Sequence, residues 1–395
     1  MTMNRLIAIA PMMAYSDRHF RLLMRLLSKH AVLYTEMVST SELLHNKRSH
    51  VLEYNVEEHP LALQLGGSNP QDLAVCARMG EDFGYDEINL NIGCPSNRVN
   101  AAQFGACLMK QPALVADCIK AMIDAVDIPV TIKTRIGVDN IDDYPSLHRF
   151  VHLNAQAGCR VFIIHARKAW LQGLSPKENR NVPPLSYDTV YRLKKDFPEL
   201  EIVINGGIKT TVDAKAHLDH VDGVMIGREA CHAPLLIAEM DRALYPHANQ
   251  DAYSVKNVLL QYLPYVAKQL ASGVRLQRIT RHLLGLCHGR PGAKRWRRYL
   301  TEQSRCQHSE IGVLKTAKPV QGVNALIAFI RLHNHPPRPL VPEHEVHDPG
   351  EDGTGETGYR CPARRNQHVH AAITGLHRIM GSHRIATGVI TLDQA

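Results

Sequence analysis

Eight short apolar segments alternate with helix-like segments along the first part of the chain, and this alternation most constrains the fold. The apolar segments occupy positions 6–13, 32–37, 61–67, 87–94, 130–137, 161–167, 201–207 and 223–229. Between them, apolar residues recur every three or four positions, which is typical of amphipathic helices. Strict alternation favours a parallel sheet, and eight such units within about 230 residues predict a (β/α)₈ TIM barrel.

A doubly wound open sheet is the alternative arrangement, but it would not explain why polar residues collect at the end of every predicted strand. In a TIM barrel the carboxyl ends of the strands converge on one face, where the active sites of this fold lie. The residues at these ends are Pro11, Met12, Met13, Glu36, Gln64, Asn91, Cys94, Lys133, Arg135, His165, Arg167, Asn205, Gly227 and Arg228. We therefore predict the functional site at this face.

The last two predicted strands end in glycines, a pattern that favours phosphate binding. Gly206 and Gly207 follow the seventh strand, and Gly227 precedes Arg228 after the eighth. Glycines leave backbone N–H groups open to an anion, and an arginine adds a forked, charge-assisted contact. A tight turn is the alternative for two glycines alone. The sequence contains no G-x-G-x-x-G dinucleotide fingerprint.

Lys133 and Cys94 are the two candidates for reactive side chains. Lys133 has three interpretations that spacing leaves open: a Schiff-base aldolase lysine, a cation beside an electron-rich cofactor ring, or a strand-end salt bridge. Cys94 lies between Gly93 and Pro95 at the end of a strand. A buried structural thiol is the usual role of an unpaired cysteine, and we assign that role to the thiols within helix-like or pre-strand segments, namely Cys76, Cys118 and Cys159.

Cysteine usage and hydropathy indicate a cytoplasmic location. The nine cysteines are scattered without a C-x-x-C pair, so we predict neither a disulfide framework nor a metal site. This cysteine usage favours a reducing compartment. No stretch approaches the roughly 20 apolar residues that span a bilayer. The net charge of +8 is modest and matters only where basic residues cluster.

The C-terminal part of the chain changes character twice. We predict a catalytic barrel over residues 1–245, a small all-α domain over 246–320 and a disordered tail over 321–395, which is rich in Pro, Gly and His. In the helical part, Arg295 and Arg298 lie beside Trp296 and Tyr299. A basic face with aromatic residues suits RNA, although most charge runs are only solvated surfaces.

Several sequence blocks together resemble the tRNA-dihydrouridine synthases. They are "APMM", "LALQLGG", "DEINLNIGCPSNRV" with "FGACLM", "IPVTIKTRIG", "FIIHARKAWLQGLSPKENR", "INGGIK" and "DGVMIGREA". The similarity runs from residue 6 to about residue 320, in order and with natural spacing. Within the family the chain is most similar to the DusA type, which acts on uridines 20 and 20a of the tRNA D-loop.

The resemblance implies a cofactor, a reductant and a reaction. FMN would be held by Pro11, Met12, Met13, Gln64, Lys133, His165, Asn205, Gly206, Gly207, Gly227 and Arg228. NADPH would reduce the flavin, a hydride would pass to C6 of a flipped-out uracil, and Cys94 would protonate C5 as the general acid. This resemblance also implies tRNA, bound through its D-loop and elbow, as the partner, with no stable protein partner.

The remaining candidate residues would contact the substrate. Asn91 would hold a uracil carbonyl, and Asn97 would touch the RNA backbone. Positive charge beside the barrel mouth and on the helical domain would come from Lys168, Lys177, Arg180, Arg295 and Arg298. Three other functions remain as alternatives: a flavin-dependent reductase of a free pyrimidine or small enone, a Schiff-base aldolase using Lys133, and an RNA-binding protein without catalysis.

Overall fold

A computed structural model describes residues 3–45, 49–141, 143–245 and 254–309. All of them belong to one compact unit. The predicted tail over 321–395 and the predicted domain boundary after residue 245 both lie outside the described residues, so these assignments stay predictions.

In this part of the chain, nine parallel strands form one sheet. They are β1 (Ile7–Ile9), β2 (Val32–Tyr34), β3 (Val38–Ser39), β4 (Leu61–Gly66), β5 (Glu87–Asn91), β6 (Val130–Arg135), β7 (Val161–His165), β8 (Glu201–Asn205) and β9 (Gly223–Ile226). Strand β1 pairs with both β2 and β9, and β2 pairs with β4, which closes the sheet into an eight-stranded barrel. The two-residue strand β3 only extends the edge of β4. The predicted TIM barrel is confirmed.

Helices follow the strands as the apolar periodicity predicts. They are α1 (Arg18–Leu27), α2 (Thr40–His45), α3 (Pro70–Asp82), α4 (Asn97–Ala101), α5 (Pro112–Ile123), α6 (Tyr144–Gln156), α7 (Tyr187–Asp196), α8 (Thr211–Leu218), α9 (Arg228–His232), α10 (Leu235–Leu244), α11 (Val255–Ala271), α12 (Leu276–Thr280) and α13 (Ala293–Ser309). Several begin at side chains that accept backbone N–H groups of the first turn, among them Asp17, Asn69 and Asp143. No helix of the described residues is both long enough and apolar enough to cross a bilayer.

The barrel interior contains a buried polar network around Arg5 and Glu87. Arg5 binds Glu87 at 2.5 Å and Glu201 at 2.9 Å, and Tyr34 donates a hydrogen bond to Glu87 at 2.8 Å. Arg5, Tyr34 and Glu87 are buried. Buried charges are tolerated only when they are paired and hydrogen-bonded, so this network fixes β1, β2, β5 and β8 at one end of the barrel.

The helices after residue 254 pack on the start of α1. Tyr262 donates to the backbone carbonyl of His19 at 2.8 Å, and His282 binds Asp17 at 3.0 Å. Arg18 donates to the side chain of Gln269 at 2.7 Å. These bonds join α11 and the segment after α12 to the loop that follows β1, at the carboxyl ends of the strands.

Candidate active site

Strand register places the predicted site residues side by side. Asn91 on β5 is paired with Lys133 on β6. Arg135 on β6 is paired with His165 on β7, and His165 is paired with Asn205 on β8. The carboxyl ends of β5 to β8 therefore bring two amides, a lysine, an arginine and a histidine to one edge, as the sequence predicts.

The loop that carries Cys94 is held by the side chain at the end of β5. Oδ1 of Asn91 accepts the backbone N–H groups of Gly93 at 3.1 Å and Cys94 at 2.9 Å. Ser96 accepts a bond from Val99 and begins α4. These bonds fix the backbone of a half-buried thiol at the barrel mouth.

Gly105 lets a second segment approach this loop closely. Its φ is +75°, in the left-handed region that favours glycine. A Cβ there would lie 2.7 Å from the carbonyl oxygen of Cys94. That same carbonyl accepts the N–H of Ala106 at 3.0 Å, so the "FGACLM" block packs against the Cys94 loop and supports it.

Asn91 is itself held by a chain of amides that runs into the barrel. Its Nδ2 donates to Oε1 of Gln64 at 2.8 Å, and Nε2 of Gln64 donates to Oδ1 of Asn89 at 2.8 Å. Asn89 in turn donates to Thr131 at 2.8 Å. Three of the hydrogen-bonding positions of Asn91 are thus used inside the protein, which leaves one Nδ2 hydrogen for a ligand. The predicted contacts of Asn91 with uracil and of Gln64 with the cofactor stay predictions.

Burial and neighbouring cations change the protonation of Lys133 and His165. Burial, and then the charge of Arg135, lower the pKa of Lys133 to about 7. Burial also lowers the pKa of His165 well below its usual value, with further contributions from Arg135 and Lys133. His165 is therefore a neutral imidazole at pH 7. Nζ of Lys133 donates to Oδ1 of Asn205 at 3.0 Å, which fixes the direction of the lysine.

The glycines after β8 form a cradle that no larger residue could form. Gly206 has a φ of +121°, and a Cβ there would lie 2.8 Å from Cδ2 of His165. Gly207 has a φ of +77°, and a Cβ there would lie 2.5 Å from the hydroxyl of Tyr187. The two glycines thus allow a close approach of His165 and Tyr187 that a side chain would prevent. Gly206 is half-buried and Gly207 is exposed, and together with Lys133, His165 and Arg228 on neighbouring strand ends they suit a phosphate-bearing cofactor. The residues present therefore fit FMN.

Arg135 has a structural role that the sequence did not reveal. It is 3% exposed, and it donates to the carbonyl of Gly93 at 2.9 Å and to the carbonyls of Lys168 and Asn179 at 3.0 Å each. One guanidinium thereby ties the Cys94 loop to the loop over residues 168–180. The acceptors are backbone carbonyls, which every residue carries, so no sequence signal could have identified them.

Asn179 organises the second of these loops from within. It is fully buried. Its Oδ1 accepts the N–H of Trp170 at 2.7 Å, and its Nδ2 donates to the carbonyl of the same residue at 2.8 Å. The buried amide closes the "HARKAWLQGLSPKENR" block on itself and places Arg180, the next residue, at its exposed end.

Positive charge accumulates around the barrel mouth. Arg228 donates to Oδ1 of Asn181 at 2.7 Å and to the carbonyl of Arg180 at 3.2 Å. Burial first, and then the positive charge of Arg228, lower the pKa values of Arg167 and Arg180. Within the part of the chain that the structure describes, Lys133, Arg135, Arg167, Arg180 and Arg228 form no ion pair with a carboxylate. Such an uncompensated cluster suits a polyanionic ligand.

The other predicted contact residues lie at different depths. Pro11 and Met12 are half-buried, whereas Met13 is exposed. Asn97 and Lys177 are exposed, and Nζ of Lys168 lies 4.3 Å from the centroid of the Trp170 ring. These placements test none of the assigned roles.

The expected basic and aromatic face of the helical segment needs one correction. Arg295 and Arg298 are exposed on α13, and Arg298 binds Glu302 at 2.7 Å. Trp296, however, is 2% exposed, and its indole donates to the carbonyl of Leu283 at 2.8 Å. Trp296 and Leu300 lie four residues apart on the buried side of α13, so the tryptophan packs in the core and is not part of the basic face.

Cys94 differs from the thiols assigned to structural roles. Cys76, Cys118 and Cys159 are buried, and burial raises the pKa of each to about 12. Such thiols keep their protons and have no access to a ligand. Cys94 is half-buried, in a loop whose preceding carbonyl, that of Gly93, accepts a bond from Arg135 at 2.9 Å.

Comparison with known proteins identifies the family of the chain. The family model for dihydrouridine synthase (Dus) matches residues 8–321. A tRNA-dihydrouridine(20/20a) synthase of Shewanella oneidensis is 54% identical over 315 residues, which cover 80% of this chain and 93% of that protein. Proteins of the same name are 54% identical in Synechocystis sp., over 80% of this chain and 94% of theirs, and 55% identical in Escherichia coli strain CFT073, over 78% and 93%. The chain belongs to the dihydrouridine synthase family, whose members are flavin-dependent oxidoreductases.

Proposed function

We propose that this protein reduces uridine to 5,6-dihydrouridine in tRNA, with FMN as cofactor and NADPH as reductant, at positions 20 and 20a of the D-loop. The observation that carries the proposal is the uncompensated cationic mouth around Cys94 in a member of this family. A site of this charge suits both the phosphate of a flavin and the backbone of RNA. We further propose that the protein works in the cytoplasm, where tRNA is modified.

The flavin would be held by the residues at the ends of β1, β4, and β6 to β9. The half-buried Gly206 and the exposed Gly207 would offer backbone groups to its phosphate, and Arg228 would add charge beside them. Lys133, steered by Asn205, and the neutral His165 provide polar contacts to the ring system. When bound, FMN supplies the hydride that reduces C6 of the uracil after NADPH has reduced the cofactor itself.

Cys94 donates the proton that completes the reduction. Its Sγ–H provides a hydrogen for C5 while remaining uncharged beforehand, which is what a general acid requires. Asn91 keeps the loop in place through two backbone N–H groups, and its remaining Nδ2 hydrogen is available to a uracil carbonyl. Arg180, at the exposed end of the loop over residues 168–180, would bind the nucleotide from the solvent side.

Reduction of a free pyrimidine or small enone is the second candidate function. The exposed cations of the helical segment, among them Arg278, Arg295 and Arg298, argue against it, because a small neutral substrate needs no such surface. The low pKa of Lys133 would suit a Schiff-base aldolase, but membership of this family does not support that chemistry.

The test is a reconstitution with defined components. The purified protein is expected to be yellow and to release FMN on denaturation. With NADPH it should add two hydrogen atoms to each target uridine of an unmodified tRNA transcript, which mass spectrometry of nuclease fragments assigns to positions. Free uridine serves as the control substrate and is expected to remain unchanged. A protein that cannot be loaded with FMN, or that reduces free uridine as readily as tRNA, would contradict the proposal.

A further inference from the structure

The loop after β1 is held rigidly although it lies at the surface of the mouth. Ser16 donates to the carbonyl of Ala10 and accepts the N–H of Met12, both at 3.0 Å. The N–H groups of Tyr15 and Ser16 both donate to the carbonyl of Met12 at 2.9 Å. The N–H of Ala14, whose φ of +62° lies in the left-handed region, donates to the carboxylate of Glu36. This backbone has little freedom.

The rigid loop presents two large apolar side chains to solvent. Met13 is 60% exposed and Tyr15 is 49% exposed. A single exposed apolar residue needs no explanation. Two of them on one fixed turn, beside residues that would hold the cofactor, leave apolar surface in contact with water in the isolated protein. A non-glycine residue with positive φ between them is a further sign of a functional turn.

The helical segment completes this surface. The guanidinium of Arg281 lies 5.1 Å from the centroid of the Tyr15 ring, and it donates to the carbonyl of Ala14. The next residue, His282, binds Asp17 at 3.0 Å. Tyr15 lies in the loop after β1 and Cys94 in the loop after β5 of the same parallel barrel, so the ring and the thiol lie at the same end of the barrel. We name Tyr15 together with Arg281 the Tyr15 platform.

We propose that the Tyr15 platform stacks against the base of a nucleotide adjacent to the target uridine; this inference rests on the proposed function. A uridine that leaves the stack removes a stacking partner from its neighbours. Aromatic rings and guanidinium planes stack on any base, and such contacts hold single-stranded RNA without reading its sequence. The Tyr15 platform thus takes the place of the flipped-out uracil as the stacking partner of the neighbouring base. Through Arg281, the helical segment takes part in this stacking.

Variants of the two residues separate stacking from charge. In Tyr15→Leu the side chain stays apolar but loses its aromatic face, and we expect the Kd for unmodified tRNA to rise about 5- to 150-fold. The Tyr15→Phe variant should bind within about twofold of wild type. Because Tyr15→Leu removes no charge, the dependence of log Kd on log salt should keep its slope, whereas Arg281→Gln should lower that slope by about one. Fluorescence anisotropy at several salt concentrations measures both.

A change in the RNA identifies the stacked base. Two transcripts are compared, one with an abasic nucleotide on the 5′ side of the target uridine and one with it on the 3′ side. The wild-type protein should bind one of the two more weakly than the intact transcript, and that one lacks the stacked base. With that transcript, Tyr15→Leu should lose nothing further. Phe83→Leu, which changes another exposed aromatic residue, is the matched control and should bind like wild type. Flavin content and NADPH oxidation without tRNA should be equal in all variants.

Two results would overturn the inference. One is a Tyr15→Leu variant that binds tRNA as tightly as wild type. The other is a Tyr15→Leu variant that binds each abasic transcript more weakly than wild type does, by the same factor as for the intact transcript. Either result leaves the proposed function standing when the wild-type protein still makes dihydrouridine. Absence of tRNA reduction by wild type would instead defeat the proposed function itself.

Discussion

The proton donor should be separable from cofactor reduction at the level of one residue. We expect Cys94→Ala to lose roughly 100- to 10,000-fold in uridine reduction, the usual contribution of a general acid. NADPH oxidation without tRNA should be unchanged, because the thiol has no part in that half-reaction. Cys107→Ala is the control, since it removes a second half-buried thiol from the segment that supports the Cys94 loop. Dihydrouridine formed at the wild-type rate by Cys94→Ala would show that the thiol is structural.

Lys133 should give FMN binding a pH dependence. Its pKa of about 7 in the folded protein means that the ammonium form is present below this pH and is lost above it. The phosphate of FMN, whose second pKa is about 6, is already a dianion there. The affinity of the apoprotein for FMN should therefore fall between pH 7 and 8.5, by at most about tenfold per pH unit.

Lys133→Met isolates that effect, because it removes the titrating group and keeps much of the side-chain volume. Its FMN affinity should be low and nearly independent of pH over the same range. Fluorescence titration of the apoprotein with FMN measures both proteins under identical conditions. If the two proteins show the same slope, the titration belongs to another group.

At the scale of elements, Arg135 hydrogen-bonds to both the Cys94 loop and the loop over residues 168–180, and we name these three bonds the Arg135 clamp. The clamp predicts that the two loops are coupled. Arg135→Met leaves the carbonyls of Gly93, Lys168 and Asn179 without their donor, at a cost of about 1–3 kcal/mol in stability. Hydrogen exchange should become faster in residues 93–96 and 168–180 together. Uridine reduction should fall while FMN content is retained. Arg192→Met, at an exposed arginine of α7, is the control. Faster exchange in only one loop would refute the coupling.

The elements themselves were predictable because their signals are local. Alternating apolar segments predicted the eight barrel strands, and the polar strand ends predicted which residues meet, as the pairing of His165 with Asn205 shows. The clamp by Arg135 was not predictable, since its partners are backbone carbonyls. The interpretation of Trp296 was wrong for a different reason. Trp296 and Leu300 are four residues apart, which predicts that both lie on the apolar side of α13, and both are buried. The neighbouring arginines had instead suggested an exposed position for Trp296.

For the whole molecule, the helical segment has a defined position because several bonds join it to α1. His282 with Asp17, Gln269 with Arg18, and Tyr262 with His19 connect the two parts. The exposed cations of α13 therefore have a fixed relation to the barrel mouth. If α13 binds the RNA backbone, as we propose, this connection would set the distance between that backbone and the target base at the barrel mouth.

This geometry leads to a prediction about salt. Cations that contact phosphates release counterions on binding, so tRNA affinity should fall steeply with ionic strength. In the Arg295→Ala, Arg298→Ala double variant the slope of log Kd against log salt should decrease by about two, one unit for each lost contact. The exposed ion pair of Arg298 with Glu302 is too weak to prevent such a contact.

A charge-matched control decides whether position or net charge matters. Arg78 and Arg192 are exposed arginines on α3 and α7, and each lies beside an acidic residue, as Arg298 does. The Arg78→Ala, Arg192→Ala double variant loses the same two charges from the flank of the barrel. If α13 contacts RNA, this variant keeps the wild-type slope while the α13 variant does not. Equal slopes in both variants and wild type would mean that the cations of α13 are only solvated, and the tRNA would then be held by the barrel mouth alone.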